Sequence, residues 1–79
     1  MLDYVATFHT HYAALRSSQR LTAKGIENQL APVPRVLSAS CGTCVRYRAD
    51  SPYPELMHED YEGIYRSEDG SYILLQHNE

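Results

Sequence analysis

The sequence predicts an α+β domain on the ferredoxin-like βαββαβ plan: a two-layer sandwich of two helices on one antiparallel sheet, with an extra C-terminal strand. Three observations predict it. A β-branched and aromatic run opens the chain and is followed at once by a helical periodicity. A second alternating run, Thr43–Ala49, is followed by a Pro-initiated segment with apolar residues at helical spacing. Asp69-Gly70 then separates two further extended runs, the strongest short-range signal for a hairpin.

In chain order, Leu2–Phe8 (Leu-Asp-Tyr-Val-Ala-Thr-Phe) reads as the first strand. Thr10 is a suitable N-cap, because its hydroxyl can accept an otherwise orphaned backbone N–H of the first helical turn. Tyr12, Ala13, Leu15, Leu21 and Ala23 form an apolar stripe, with Arg16, Arg20 and Lys24 on the polar side. Gly25 is expected to end that helix in the left-handed conformation, with Lys24 opposing the dipole. Ile26–Val33 resumes an extended pattern, but Pro32 and Pro34 cannot donate to a ladder, so it should be an edge strand. Val36–Cys41 is a Ser-rich connection. Thr43–Ala49 alternates Val45 and Tyr47 against Arg46 and Arg48, the pattern of a strand with one buried face. A second helix is expected over about Pro54–Tyr61, carrying Leu56, Met57 and Tyr61, and Gly63 should end it. Gly63–Arg66 and Ser71–Gln76 complete the sheet.

Seventy-nine residues make one domain. A chain of this size buries only about 60% of its unfolded surface, so oligomerisation or a bound partner would add needed stability. No apolar run approaches the roughly 20 residues that span a bilayer. Met1-Leu2-Asp3-Tyr4 lacks a charged-then-apolar leader pattern, so the expected compartment is the cytoplasm. The net charge is −3 but is unevenly spread: residues 1–48 carry +4 and residues 49–79 carry −7. An acidic domain without a dense Lys/Arg stripe argues against nucleic acid as a partner.

The two cysteines stand together in Cys41-Gly42-Thr43-Cys44, with Arg35 upstream and Arg46 and Arg48 downstream. Two close thiols in a reducing compartment read as metal-binding or redox-active rather than as a structural staple. Nearby positive charge favours the thiolate that either role requires. The fold plan sharpens the expectation. With the third strand lying between the first and second, the connection holding Cys41 should meet the end of strand one and the start of helix one, where His9, Thr10 and His11 lie. The helix N-terminus would present partial positive charge there. Gly42 would allow a tight or positive-φ turn, so that both sulfurs face one side.

Several segments resemble a known family. Tyr4-Val5-Ala6-Thr7-Phe8, His11-Tyr12-Ala13-Ala14-Leu15, Gly25-Ile26, Pro32-Val33-Pro34-Arg35 and Ser38-Ala39-Ser40-Cys41-Gly42 are similar to prokaryotic proteins of about this length, the selenium/sulfur carrier protein-like family. The similarity is good over residues 3–48 and fades after Asp50. It implies a thiol that holds sulfane sulfur or selenium as a persulfide-type species, with Cys41 as the matching cysteine and no cofactor. Protein donors and acceptors of the sulfur would be its partners. Cys44 and the terminal strand depart from the family pattern.

Three functions therefore stand side by side. The first is a sulfur or selenium carrier on Cys41, assisted by Cys44, with Arg35, Gly42, Arg46, Thr10 and His11 as thiolate- and anion-stabilising surroundings. It is a carrier or accessory protein more than a stand-alone enzyme. The second is a zinc or copper module built from Cys41, Cys44, His9 and His11. A lone Cys-x-x-Cys is thin support for it, because structural zinc sites usually show two such knuckles. The third is a non-catalytic interaction domain, using the acidic, Tyr-containing C-terminal third or an exposed sheet edge that pairs two copies as a homodimer. A thioredoxin-type oxidoreductase is excluded: its cysteines follow a strand at a helix N-terminus, whereas this pair precedes a strand. Copper chaperones share the expected fold but carry their cysteines after strand one, where this chain has histidines.

Overall fold

The computed structural model describes residues 1–37 and 39–78; Ser38, part of the Ser-rich connection, and Glu79 lie outside the described residues. Its elements are strand β1 (Leu2–Phe8), helix α1 (His11–Ala23), strand β2 (Asn28–Pro32), strand β3 (Thr43–Ala49), a single 3₁₀ turn (Pro54–Leu56), strand β4 (Tyr61–Glu68) and strand β5 (Ser71–His77). All ladders are antiparallel, in the order β2-β3-β1-β4-β5. The protein is thus an α+β domain of one helix and one five-stranded antiparallel sheet.

Helix α1 is delimited as the sequence predicts. Thr10 is extended (φ −134°, ψ 153°) and its Oγ1 accepts the Ala13 N–H at 3.1 Å. At the other end Gly25 adopts φ +82° and Ile26 N–H reaches back to Leu21 O at 2.9 Å, a Schellman closure. The helix covers β1, β2 and β3. Its Ala13, Ala14 and Leu21 meet Tyr4, Ala6 and Phe8 of β1 and Val45, Tyr47 and Ala49 of β3, all buried. The rings of Tyr4 and Tyr47, paired across the two strands, stack at 5.3 Å.

The second helix of the ferredoxin-like plan is not formed. Only the 3₁₀ turn stands there, entered through Tyr53 in the left-handed region (φ +50°). The physical reason is local. Pro52 and Pro54 leave too few residues before Tyr61 to nucleate a helix. The segment is tied to α1 instead: buried Ser17 donates its hydroxyl to Ala13 O at 2.9 Å and accepts the His58 N–H at 2.8 Å. Strand β4 therefore begins two residues before Gly63, and Gly63 lies inside the strand instead of ending a helix. Tyr65 covers it, its ring 3.2 Å from where a Cβ would stand. At the end of β4, Asp69 (φ +49°) and Gly70 (φ +82°) make the expected two-residue hairpin to β5.

Candidate functional site

Strand β3 lies between β1 and β2, antiparallel to both, so the residues before Thr43 meet the β1–α1 junction. Two histidines make the contact. His9 Nδ1 is 3.4 Å from Ser40 Oγ, 31 residues away, and His11 Nδ1 is 3.3 Å from Thr43 Oγ1, 32 residues away. Ser40 and Thr43 bracket Cys41 and Gly42. The Cys41 turn is therefore fastened on both sides to the start of α1, the juxtaposition the topology predicts.

Glu62 of β4 completes the fastening. Its Oε1 accepts the Ser40 N–H at 2.8 Å, and its Oε2 lies 3.4 Å from Ser40 Oγ and 3.7 Å from His9 Nδ1. Glu62 is not among the candidate site residues that the sequence marks. Its role becomes visible only when β4 starts at Tyr61 and pairs with β1, which carries residue 62 to the Cys41 turn.

Cys41 is half-buried and packs at the margin of the helix-side core. The Thr43 N–H donates to its Sγ at 3.4 Å, and its thiol is equally close to Thr43 O. Gly42 is exposed at φ +72°, a region in which only glycine is unstrained, and its carbonyl accepts the Val33 N–H at 3.1 Å.

The expected convergence of the two sulfurs is not observed. Cys44 pairs with Thr7 of β1 and Ala31 of β2, and shares its sheet face with Arg46 and Arg48, the face opposite α1. Its side chain is fully buried, with Sγ 3.5 Å from Pro32 O. Burial pushes its thiol pKa up, outweighing the lowering by Arg46. The positive-φ turn at Gly42 separates the cysteines instead of gathering them: Cys41 lies with α1 and Cys44 lies beneath the helix-free face.

The arginines divide in the same way. Arg46 belongs to the Cys44 face, where it reaches Tyr72 Oη of β5 at 3.5 Å. Arg35 is exposed in a turn, Leu37 N–H bonding to Pro34 O at 3.0 Å, and among the described residues it has no ion-pair partner. The proposed metal set also fails to assemble. His9 and His11 are engaged with Ser40 and Thr43, Cys44 is on the other face, and among the described residues no three His, Cys, Asp or Glu side chains cluster as metal ligands. A concavity of about 380 Å³ lies beside Arg46, Arg48, Asn28 and Ser67, and Cys41 does not line it. No helix among the described residues is long and apolar enough to cross a membrane.

The Cys41 thiol thus stands on a turn fastened to the start of α1, in a fold of one helix layered on one sheet. The chain belongs to the family described as putative Se/S carrier protein-like, which matches residues 3–66. The match contains β1 through most of β4 and leaves β5 outside it. No curated protein and no solved structure matches the chain.

Proposed function

We propose that the protein carries sulfane sulfur or selenium on Cys41 between a protein donor and a protein acceptor. The observation that supports this reading most directly is the double fastening of the Cys41 turn, His9 to Ser40 and His11 to Thr43, which keeps a half-exposed thiol beside the α1 N-terminus. No acidic side chain stands in the first turn of α1 to cancel its partial positive charge. An anionic sulfur at Cys41 is stabilised further by the Thr43 N–H.

The transfer is two exchanges. The Cys41 thiolate attacks the outer sulfur of a donor persulfide. The donor's S–S bond breaks, its cysteine leaves as thiolate, and the chain holds Cys41–S–SH. An acceptor nucleophile then attacks the outer sulfur, the new S–S bond breaks, and the Cys41 thiolate returns. Selenium follows the same path as Cys41–S–SeH. The chain gains and loses no electrons over the cycle, so no resident cofactor is required.

In this reading Cys44 takes no part in transfer. Its burial and raised pKa suit a small core residue, and Arg46 acts on that residue and not on the carrier thiol. We read the β1-α1-β2 crossover with β3 inserted as a ferredoxin-like plan in which a 3₁₀ turn stands where the second helix would be. The compartment is the cytoplasm, where a single working thiol stays reduced.

The test is mass spectrometry after incubation with a cysteine desulfurase and cysteine. Wild type and Cys44→Ser gain the mass of one sulfur atom, and Cys41→Ser gains none. An unmodified Cys41, under conditions that load a known carrier, overturns the proposal.

A further inference from the structure

The end of the sheet that holds Cys41 is graded in charge. In the strand order β2-β3-β1-β4, that end carries Arg35, Cys41, His9 and Asp60. Pro32 pairs with Thr43, and the Val33 N–H bonds to Gly42 O at 3.1 Å, so the β2–β3 connection is closed at its base. Arg35 stands two residues beyond that closure on one side, and Cys41 one residue beyond it on the other. On the far side of Cys41, the His9 N–H bonds to Asp60 O at 3.2 Å, which sets the exposed Glu59 and Asp60 at the β4 flank.

The cationic flank has nothing of its own to neutralise it. Between Tyr4 and Ala49 the only carboxylate is Glu27. The Glu27 carbonyl accepts the Arg48 N–H at 3.1 Å, which places this residue at the opposite end of β3 from Thr43. The Glu62 carboxylate is taken up by Ser40 and His9. Arg35 and Val36 are the two central residues of the turn in which the Leu37 N–H bonds to Pro34 O, and both are exposed, Val36 by 75%.

We propose that the proteins exchanging sulfur with Cys41 dock across this end of the sheet with an acidic segment set on Arg35 and Val36. The docking rests on the carrier reading, in which a second protein must bring its own sulfur into contact with Cys41 and so cover what surrounds it. A surface that covers Arg35 without pairing it strips a guanidinium of water, which costs free energy. A carboxylate pairs it, and a basic side chain is repelled. Glu59 and Asp60 repel the same acidic segment from the β4 flank, so it lies over the β2–β3 connection. Val36 adds apolar area to the contact.

Short peptides with a central cysteine, held as the mixed disulfide with thionitrobenzoate, test the docking. One peptide flanks its cysteine with glutamates and the other with glutamines. In a Cys44→Ser background, the Cys41 thiolate attacks the peptide sulfur. A Cys41–peptide disulfide forms, the bond to thionitrobenzoate breaks, and the coloured thiolate released reads the rate. Arg35→Glu is expected to slow the glutamate peptide by about threefold or more at low ionic strength, and Arg35→Gln to slow it less. Neither should slow the glutamine peptide, whose rate also reports that the Cys41 turn is intact. Lys24→Glu makes the same charge change at the far end of α1 and should leave both peptides unaffected. Equal slowing of the two peptides would reduce Arg35 to a charge that stabilises the thiolate. Equal effects of Arg35→Glu and Lys24→Glu would reduce it to a share of the net charge. Either result overturns the docking, as does a glutamate peptide indifferent to Arg35→Glu. The desulfurase reaction judges the carrier reading separately: a Cys41 that takes no sulfur strikes that reading, while selective slowing of the glutamate peptide still sustains a surface that selects acidic partners.

Discussion

Glu62 Oε1 accepts the backbone N–H of Ser40 at 2.8 Å, joining a strand at the centre of the acidic third to the turn that presents Cys41. The contact is charge-assisted and the carboxylate is largely shielded from solvent, 22% exposed, so it outweighs an ordinary surface hydrogen bond. Glu62→Ala is expected to lower unfolding free energy by about 1 kcal/mol and to loosen the Cys41 turn. Glu62→Gln, which keeps an acceptor, should lose less. Urea denaturation measures the first effect, and the rate of Cys41 alkylation by iodoacetamide in the folded protein measures the second. Equal stability and equal alkylation rates in all three proteins would show that the carboxylate fastens nothing.

Gly42 makes a second, separable contribution. A methyl group there meets nothing within 4 Å, so Gly42→Ala is opposed only by the backbone conformation at φ +72°. The expected cost is about 1 kcal/mol, and Gly42→Asn, better suited to left-handed geometry, should cost less. The order Gly, Asn, Ala in urea midpoint is the check; an alanine variant as stable as wild type would show that the turn relaxes.

Ser17 is the hinge between α1 and the irregular segment that replaces the second helix. Ser17→Ala leaves the His58 N–H without its acceptor and should cost about 1–3 kcal/mol. Thermal unfolding measures the loss. Ser17→Thr keeps a hydroxyl but adds a methyl at a fully buried position, so it should also destabilise, through crowding.

The two cysteines should separate by pH. Burial raises the pKa of the Cys44 thiol and of the Tyr47 phenol in the folded state above their ordinary values. A raised pKa means that the folded chain holds the proton where the unfolded chain releases it. Stability from these groups is complete below about pH 9 and falls as pH rises beyond it. Urea midpoints between pH 7 and 11 should decline on the alkaline side, and Cys44→Ala should shallow the decline. In the folded protein at pH 8, N-ethylmaleimide should consume Cys41 well before Cys44; matched rates would place Cys44 at the surface.

Much of this was legible from residue types. The bounds of β1 follow from its β-branched and aromatic run, and those of α1 from Thr10 and Gly25, because each signal is satisfied within a few residues. The alternation of Val45 and Tyr47 with Arg46 and Arg48 marks β3 for the same reason. The meeting of His9 and His11 with the Cys41 turn follows from strand order alone. Three features were not legible. The short, proline-interrupted segment before Tyr61 is held as an irregular turn by Ser17, which accepts the His58 N–H from 41 residues away, a contact that no local pattern announces. Glu62 escaped notice because its importance depends on where β4 begins. The orientation of the cysteines depended on one torsion at Gly42, which permits either a shared side or opposite faces.

That orientation governs what oxidation does to the molecule. With Cys44 sealed beneath the far face of the sheet, a sulfenic acid at Cys41 has no second thiol on its own side of the sheet with which to close a disulfide. A disulfide at Cys41 is therefore made with a thiol from outside the chain, so external thiols, and not an internal partner, set how long it persists.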